Sequence, residues 1–139
     1  MARSRDTGDM ATPQAGIFAL GTRTHHHLEY DVAGDAADVD IAAALARLSE
    51  PSVTGGGSNI VIGFGADLWR RLATSAPSDL GSFEPIQGLD GHSAPSTQHD
   101  VWVWIHGTGL DGVLDTATAI TAAFAPIADL VDETDCFVY

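Results

Sequence analysis

A chain of 139 residues with nineteen acids, six arginines, no lysine and a formal net charge of −13 repels a phosphate backbone and an anionic bilayer alike. Nucleic acid and membrane are therefore not expected partners, and no apolar run approaches the roughly 20 residues a membrane helix needs. The length suits one domain, the lone Cys136 cannot form an internal disulfide, and no arginine-led apolar segment resembles a signal peptide, so a cytoplasmic protein is expected.

Residues 1–14 are polar, with Pro13 near their end, and predict a mobile leader; the domain is expected over residues 15–139. Ile17 to Leu20 is a short apolar run that continues into His25-His26-His27-Leu28-Glu29-Tyr30, which predicts one long or bent first strand. Gly34 and Asp35 break that pattern. Asp38 or Asp40 can cap a helix whose Ile41, Ala44, Leu45 and Leu48 recur at helical spacing, closed by Glu50-Pro51. A turn at Thr54 to Ser58 leads into a second strand, Asn59 to Gly65, and then a short helix, Ala66 to Leu72, with an apolar edge of Leu68, Trp69 and Leu72.

The 26 residues from Thr74 to His99 are rich in Ser, Pro and Gly and show no period, with Phe83, Ile86 and Leu89 as possible anchors. Loops of this length are usually functional or interface-forming. Val101 to Ile105 follows as a central strand, and both of its faces are apolar. Val101, Val103 and Ile105 point one way, Trp102 and Trp104 the other, and His106 ends the second row. A half-solvated strand alternates apolar with polar residues. This one is expected to be covered on both sides, the second cover coming from a partner domain or subunit. After Gly109, the spacing of Val113, Ala117, Ile120 and Phe124 predicts a helix, with Asp111 near its N-terminus and Pro126 ending it. Ala128 to Tyr139 reads as a last strand, polar at Asp132-Glu133-Thr134-Asp135.

This order predicts an α+β fold. It is a ferredoxin-like split βαβ sandwich with a four-stranded antiparallel sheet and the main helices on one face. The candidate chemistry is thin. Of His25, His26 and His27 only His25 and His27 share a face, too few for a metal. His92, His99 and His106 read as solvated or hydrogen-bonded histidines. Gly55-Gly56-Gly57 lacks the Lys and Ser/Thr of a phosphate loop. No Gly-x-Ser-x-Gly elbow is present. Trp102 and Trp104 read as packing, and the acids at 132–135 as a solvated strand face. No catalytic, cofactor-binding or metal-binding residue is assigned.

Four phrases taken together point further: Gln14-Ala15-Gly16-Ile17, Ile62-Gly63-Phe64-Gly65-Ala66-Asp67-Leu68-Trp69, Gln98-His99-Asp100 leading into the central strand, and Cys136-Phe137-Val138-Tyr139. They resemble the N-terminal half of dye-decolorizing peroxidases, most nearly the bacterial branch, over about Gln14 to Tyr139. The resemblance implies two ferredoxin-like domains packed sheet toward sheet. It implies haem b in the complete enzyme, hydrogen peroxide as oxidant, and dyes or other small reductants as electron donors.

The family's distal Asp in a Gly-x-x-Asp-Gly motif, its distal Arg and its proximal His are expected beyond Tyr139. Gly88-Leu89-Asp90-Gly91 and Gly109-Leu110-Asp111-Gly112 each have one residue too few to be that motif. By this resemblance residues 1–139 lack catalytic residues and cofactor, partner the C-terminal haem-binding half, and expose an apolar patch that favours dimerisation, aggregation or marginal stability when isolated. A homo-oligomer is expected. The alternatives are a standalone dimeric ferredoxin-like module that binds a ligand or regulates a partner without catalysis, and a dimeric α+β barrel enzyme.

Overall fold

The computed structural model describes residues 12–48 and 57–139. The elements run β1 (Thr24–Val32), α1 (Asp38–Leu45), β2 (Asn59–Phe64), α2 (Ala66–Leu72), β3 (Ile86–Gln87), β4 (Ser93–Ala94), β5 (Val101–Gly107), α3 (Leu110–Phe124) and β6 (Ala128–Phe137), with 3-10 turns at Ala15–Phe18 and Leu89–Gly91. The four long strands form one sheet in the order β2-β5-β1-β6, every neighbouring pair antiparallel. β1-α1-β2 and β5-α3-β6 are thus two split βαβ units that interleave, and the fold is the expected ferredoxin-like α+β sandwich.

The core lies between the sheet and the helices. Val101, Val103 and Ile105 are 0% exposed and share the core with Val113, Ala117, Ile120 and Phe124 of α3 and with Ile41 and Ala44 of α1. The expected apolar stripe of α3 is therefore the buried one, because residues spaced by three and four fall on one side of a helix. Tyr30 extends the same layer from β1. Its ring lies 4.8 Å from that of Phe124, and its hydroxyl hydrogen-bonds with Thr121 Oγ1 at 3.0 Å. A buried aromatic body with a satisfied polar tip is the stable form of such a residue.

Four local expectations change. The first strand begins only at Thr24; Ala15–Phe18 is a single 3-10 turn, separated from β1 by Gly21 at φ 76°. Ile17, Phe18 and Leu20 are exposed, Leu20 by 91%. Gly16 explains the detour. A Cβ there would stand 2.6 Å from the Ile60 carbonyl oxygen, so a bare glycine backbone lies on β2 where a side chain could not. Gln14 fixes the approach, its Oε1 accepting from Ile62 N at 2.7 Å and its Nε2 donating to Ile62 O at 2.8 Å.

Second, the α1 N-cap is Ala37. Asp38 and Asp40 lie in the first turn, and Asp38 Oδ1 accepts from Arg71 Nε of α2 at 2.6 Å. The expected stop at Glu50-Pro51 and the Gly55-Gly56-Gly57 turn lie wholly or largely outside the described residues. Third, Trp69 of α2 is exposed rather than part of a buried edge, whereas Leu68 is buried. Fourth, Phe83, Ile86 and Leu89 are exposed and anchor nothing. The loop is held by polar contacts instead: Trp69 Nε1 donates to Ser75 O at 3.1 Å, Arg70 Nη2 donates to Leu80 O, and Gln98 Nε2 donates to Phe83 O at 3.3 Å.

Replacing Phe124 by Ala is therefore expected to lower unfolding free energy by about 3–5 kcal/mol. Phe83→Ala should change it by no more than about 0.5 kcal/mol. Denaturant titration of the two variants checks the ranking, and equal losses would contradict this division between core and loop.

Candidate functional site

The sheet face turned away from α1 and α3 carries an unusual set of side chains. On β5 it presents Trp102, Trp104 and His106. Their cross-strand partners on β1 are Glu29, His27 and His25, and on β2 Gly63, Val61 and Asn59. Side chains directly opposite in an antiparallel pair share a face, so the register assembles three imidazoles and two indoles into one array. Trp104 is its centre. Its ring is 4.0 Å from that of His106 at 21°, 5.8 Å from His25 at 12°, and 6.2 Å from His27 at 7°. Trp102 stacks on His27 at 5.5 Å.

Hydrogen bonding in this array is one-sided. Trp104 Nε1 donates to His25 Nδ1 at 3.1 Å, which requires the His25 proton on Nε2; that nitrogen is buried and has no partner. His106 is 0% exposed and neither ring nitrogen has a hydrogen-bond partner. His106 is therefore not a solvated histidine: its ring neighbours enclose it, and the Gly16 backbone lies beside it.

Burial lowers the pKa of His106 from the ordinary 6.5, and the nearby His25 adds to this; the Gly16 backbone offsets part of the effect. His27 is lowered too, first by desolvation and then by His25 and His26. Both imidazoles are thereby held neutral.

His26 points to the opposite side of the sheet. Its Nε2 meets Glu133 Oε1 at 2.9 Å and its Nδ1 pairs with Asp135 Oδ1, so two of the acids read as a solvated face are partners of a buried histidine. His92 is exposed in the loop, and His99 pairs through Nδ1 with Asp31 Oδ1 at 2.8 Å. Among the described residues no cluster of three or more His, Cys, Asp or Glu side chains is placed to hold a metal. Asp90 and Gly91 of one near-miss motif form a left-handed turn at φ 57° and 80°, and Asp111 of the other sits in the first turn of α3. His25 Nδ1 accepts from Trp104 Nε1, and His106 is buried.

Beside the array, the long loop roofs a cavity of about 580 Å³ over the end of the sheet, lined by Glu29, Gly63, Phe64, Phe83, Gln98 and Trp102 among others. The glycines of the Gly63-Phe64-Gly65 phrase make it possible. A Cβ on Gly65 would lie 2.8 Å from the His99 carbonyl oxygen, and one on Gly63 would lie 3.2 Å from Trp102 Cε3. Gly65 N donates to Asp100 O at 2.8 Å, while Asp100 N donates to Tyr30 O and Asp100 Oδ2 accepts from Val32 N, so the loop's exit is locked to β1 and β2. This cavity escapes sequence reasoning because it depends on which strands become neighbours. A larger space of about 810 Å³ is lined by Arg47, Leu48, Ser58, Asp115 and Ile120 among others.

Residues 14–138 match the family model described as Dyp-type peroxidase, N-terminal. The chain belongs to the Dyp-type peroxidase family. A dye-decolorizing peroxidase of Rhodococcus erythropolis is 33% identical over 130 residues, spanning 91% of this chain but 36% of that protein. Among solved structures, a DypB variant of Rhodococcus jostii RHA1 in complex with heme superposes with a TM-score of 0.79 at 26% identity, covering 92% of this chain and 43% of that one. The encapsulated DyP-type peroxidase of Mycobacterium smegmatis gives a TM-score of 0.74 at 26% identity over 91% of this chain and 42% of that one. The chain thus spans well under half the length of these Dyp-type relatives. No helix among the described residues is long and apolar enough to cross a membrane.

Because His27 and His106 have folded-state pKa values below the unfolded 6.5, the unfolded chain binds more protons between those values. The neutral pair therefore costs no stability above about pH 6.5, and stability falls as pH drops below it. Urea midpoints measured from pH 8 to pH 5 should show this decline. A His27→Gln, His106→Gln double variant should flatten it, and an unchanged slope would contradict the assignment.

Proposed function

We propose that this chain is the N-terminal half of a haem-dependent dye-decolorizing peroxidase that uses hydrogen peroxide to oxidise dyes or other small reductants. The observation that carries the proposal is the second face of β5. Trp102 and Trp104 are half-buried, and the β6 side of the same face, including Thr134 and Cys136, is exposed, so the chain covers only the β2 side of its own array. In the complete protein the haem-binding half would lie across this face, sheet toward sheet. Apolar and aromatic area of this kind gains free energy when removed from water, at about 25 cal/mol per Å².

In this reading residues 15–139 contribute no axial ligand and no acid-base group. The haem supplies the oxidising chemistry, and its ligands, the distal Asp and the distal Arg come from residues outside these 139. The contribution of this half is structural: it holds the opposing sheet in place and excludes water from it. The encapsulated relative and the acidic, single-cysteine composition support a cytoplasmic homo-oligomer that a protein shell could package.

The test compares the full-length protein with residues 1–139 after haem is supplied to each. Peroxide-dependent oxidation of a dye is expected for the former and none for the latter. Turnover by residues 1–139 alone would overturn the proposal, and so would a haem-free stable dimer as the natural form, which would favour a standalone ferredoxin-like binding or regulatory module.

A further inference from the structure

We propose that His26, held as an imidazolium between Glu133 and Asp135, is a proton-operated latch that fastens the outer half of β6 to β1. The ring is 1% exposed, and both of its nitrogens face carboxylate oxygens. Nε2 meets Glu133 Oε1 at 2.9 Å, and Nδ1 pairs with Asp135 Oδ1. Ionised carboxylates only accept hydrogen bonds, so both nitrogens must donate, and only the imidazolium carries two ring protons. A neutral ring donates from one nitrogen and turns the lone pair of the other onto a carboxylate oxygen, which repels it.

The stretch that the latch holds has little else to hold it. β6 is an edge strand with β1 as its one sheet neighbour, and every residue of it after Ala128 is exposed. Among the described residues, the two contacts to His26 are the only side-chain hydrogen bonds that join residues 133–137 to another element. A register shift opposite Glu29 and Tyr30 separates this stretch from the start of β6, interrupting the ladder as a bulge does. The outer stretch can therefore open without the rest of the sheet, as segments with few buried apolar contacts do.

The groups around the ring set the sign. Across from it stand Ile105 of β5, which is apolar, and Asp135 of β6. Tyr30 lies on the same face of β1, with its hydroxyl taken by Thr121 of α3. The acids of α3 are Asp111 and Asp115, and neither pairs with His26. His25 and His27 project to the opposite face, where charge on His26 is one of the influences that lower the His27 pKa. Acids facing the ring favour its second proton, so the latch is closed at low pH and opens as pH rises and that proton leaves to solvent. This is the reverse of the neutral array on the other face. The whole network belongs to this chain and lies toward α3, away from the face that the proposed function covers. Its failure would leave the peroxidase reading standing.

Peptide-resolved hydrogen exchange of the full-length protein between about pH 5.5 and about pH 9 tests it, each rate divided by its intrinsic value at that pH. Protection of residues 133–137 should fall roughly tenfold as pH rises, while that of β5 stays constant. Asp135→Asn should remove the fall, because an amide can donate to the bare nitrogen of a neutral ring as well as accept from a charged one. His26→Gln should remove it too, at the lower level of protection. Protection independent of pH in the unaltered protein, or a fall of the same size in either variant, would overturn the proposal. Should His26→Gln fail to fold, the unaltered protein and Asp135→Asn decide between them.

Discussion

The structure depends on a strand that carries apolar side chains on both faces. β5 spends Val101, Val103 and Ile105 on the helices and Trp102, Trp104 and His106 on the opposite face, and within this chain only the first set is fully covered by a packed layer. Everything around β5 responds to that. β1 and β2 flank it as neighbours, α3 closes one face, and the Ala15–Phe18 turn shields the β2 side of the other. What remains open is an aromatic and imidazole surface that is costly to leave in water.

The neutral imidazoles belong to the same constraint. A charged histidine among these indoles would oppose the proposed covering of the face, because desolvating a charge costs far more than desolvating a neutral ring. Burial, with the nearby His25 adding to it, keeps His27 and His106 below their ordinary pKa, and the rings of His25, His27 and His106 stack on Trp102 and Trp104. On the other side of the sheet the arrangement is reversed: His26 is matched by Glu133 and Asp135. Three consecutive histidines thus occupy two unlike environments, as strand alternation requires.

The parts of the fold legible in the sequence are those governed by local period. α3 shows its buried stripe in Val113, Ala117, Ile120 and Phe124, and β5 shows its two apolar rows, because spacing alone decides which residues share a side. The four-strand, two-unit order follows from those elements. The Ala15–Phe18 turn was hidden, since four apolar-looking residues carry no period and the detour is set by Gly16 lying against Ile60, a contact between distant segments. The burial of His106, the pairing of His26 with β6 and the neighbourhood of Glu29 and Trp102 are all properties of register, which no single stretch encodes. The Gly63-Phe64-Gly65 phrase was visible as a motif of the family, but its physical role, admitting the loop's exit and the Trp102 ring, needed the third dimension.

The central claim is that the open face of β5 and its neighbours is covered in the complete protein. Cys136 reports on it directly, because it stands across from His25 on that face and is exposed in this chain. Peptide-resolved thiol labelling should find Cys136 reacting freely in isolated residues 1–139 and strongly protected in the full-length protein. Equal labelling rates in the two would show that nothing lies across the face, and would contradict the account.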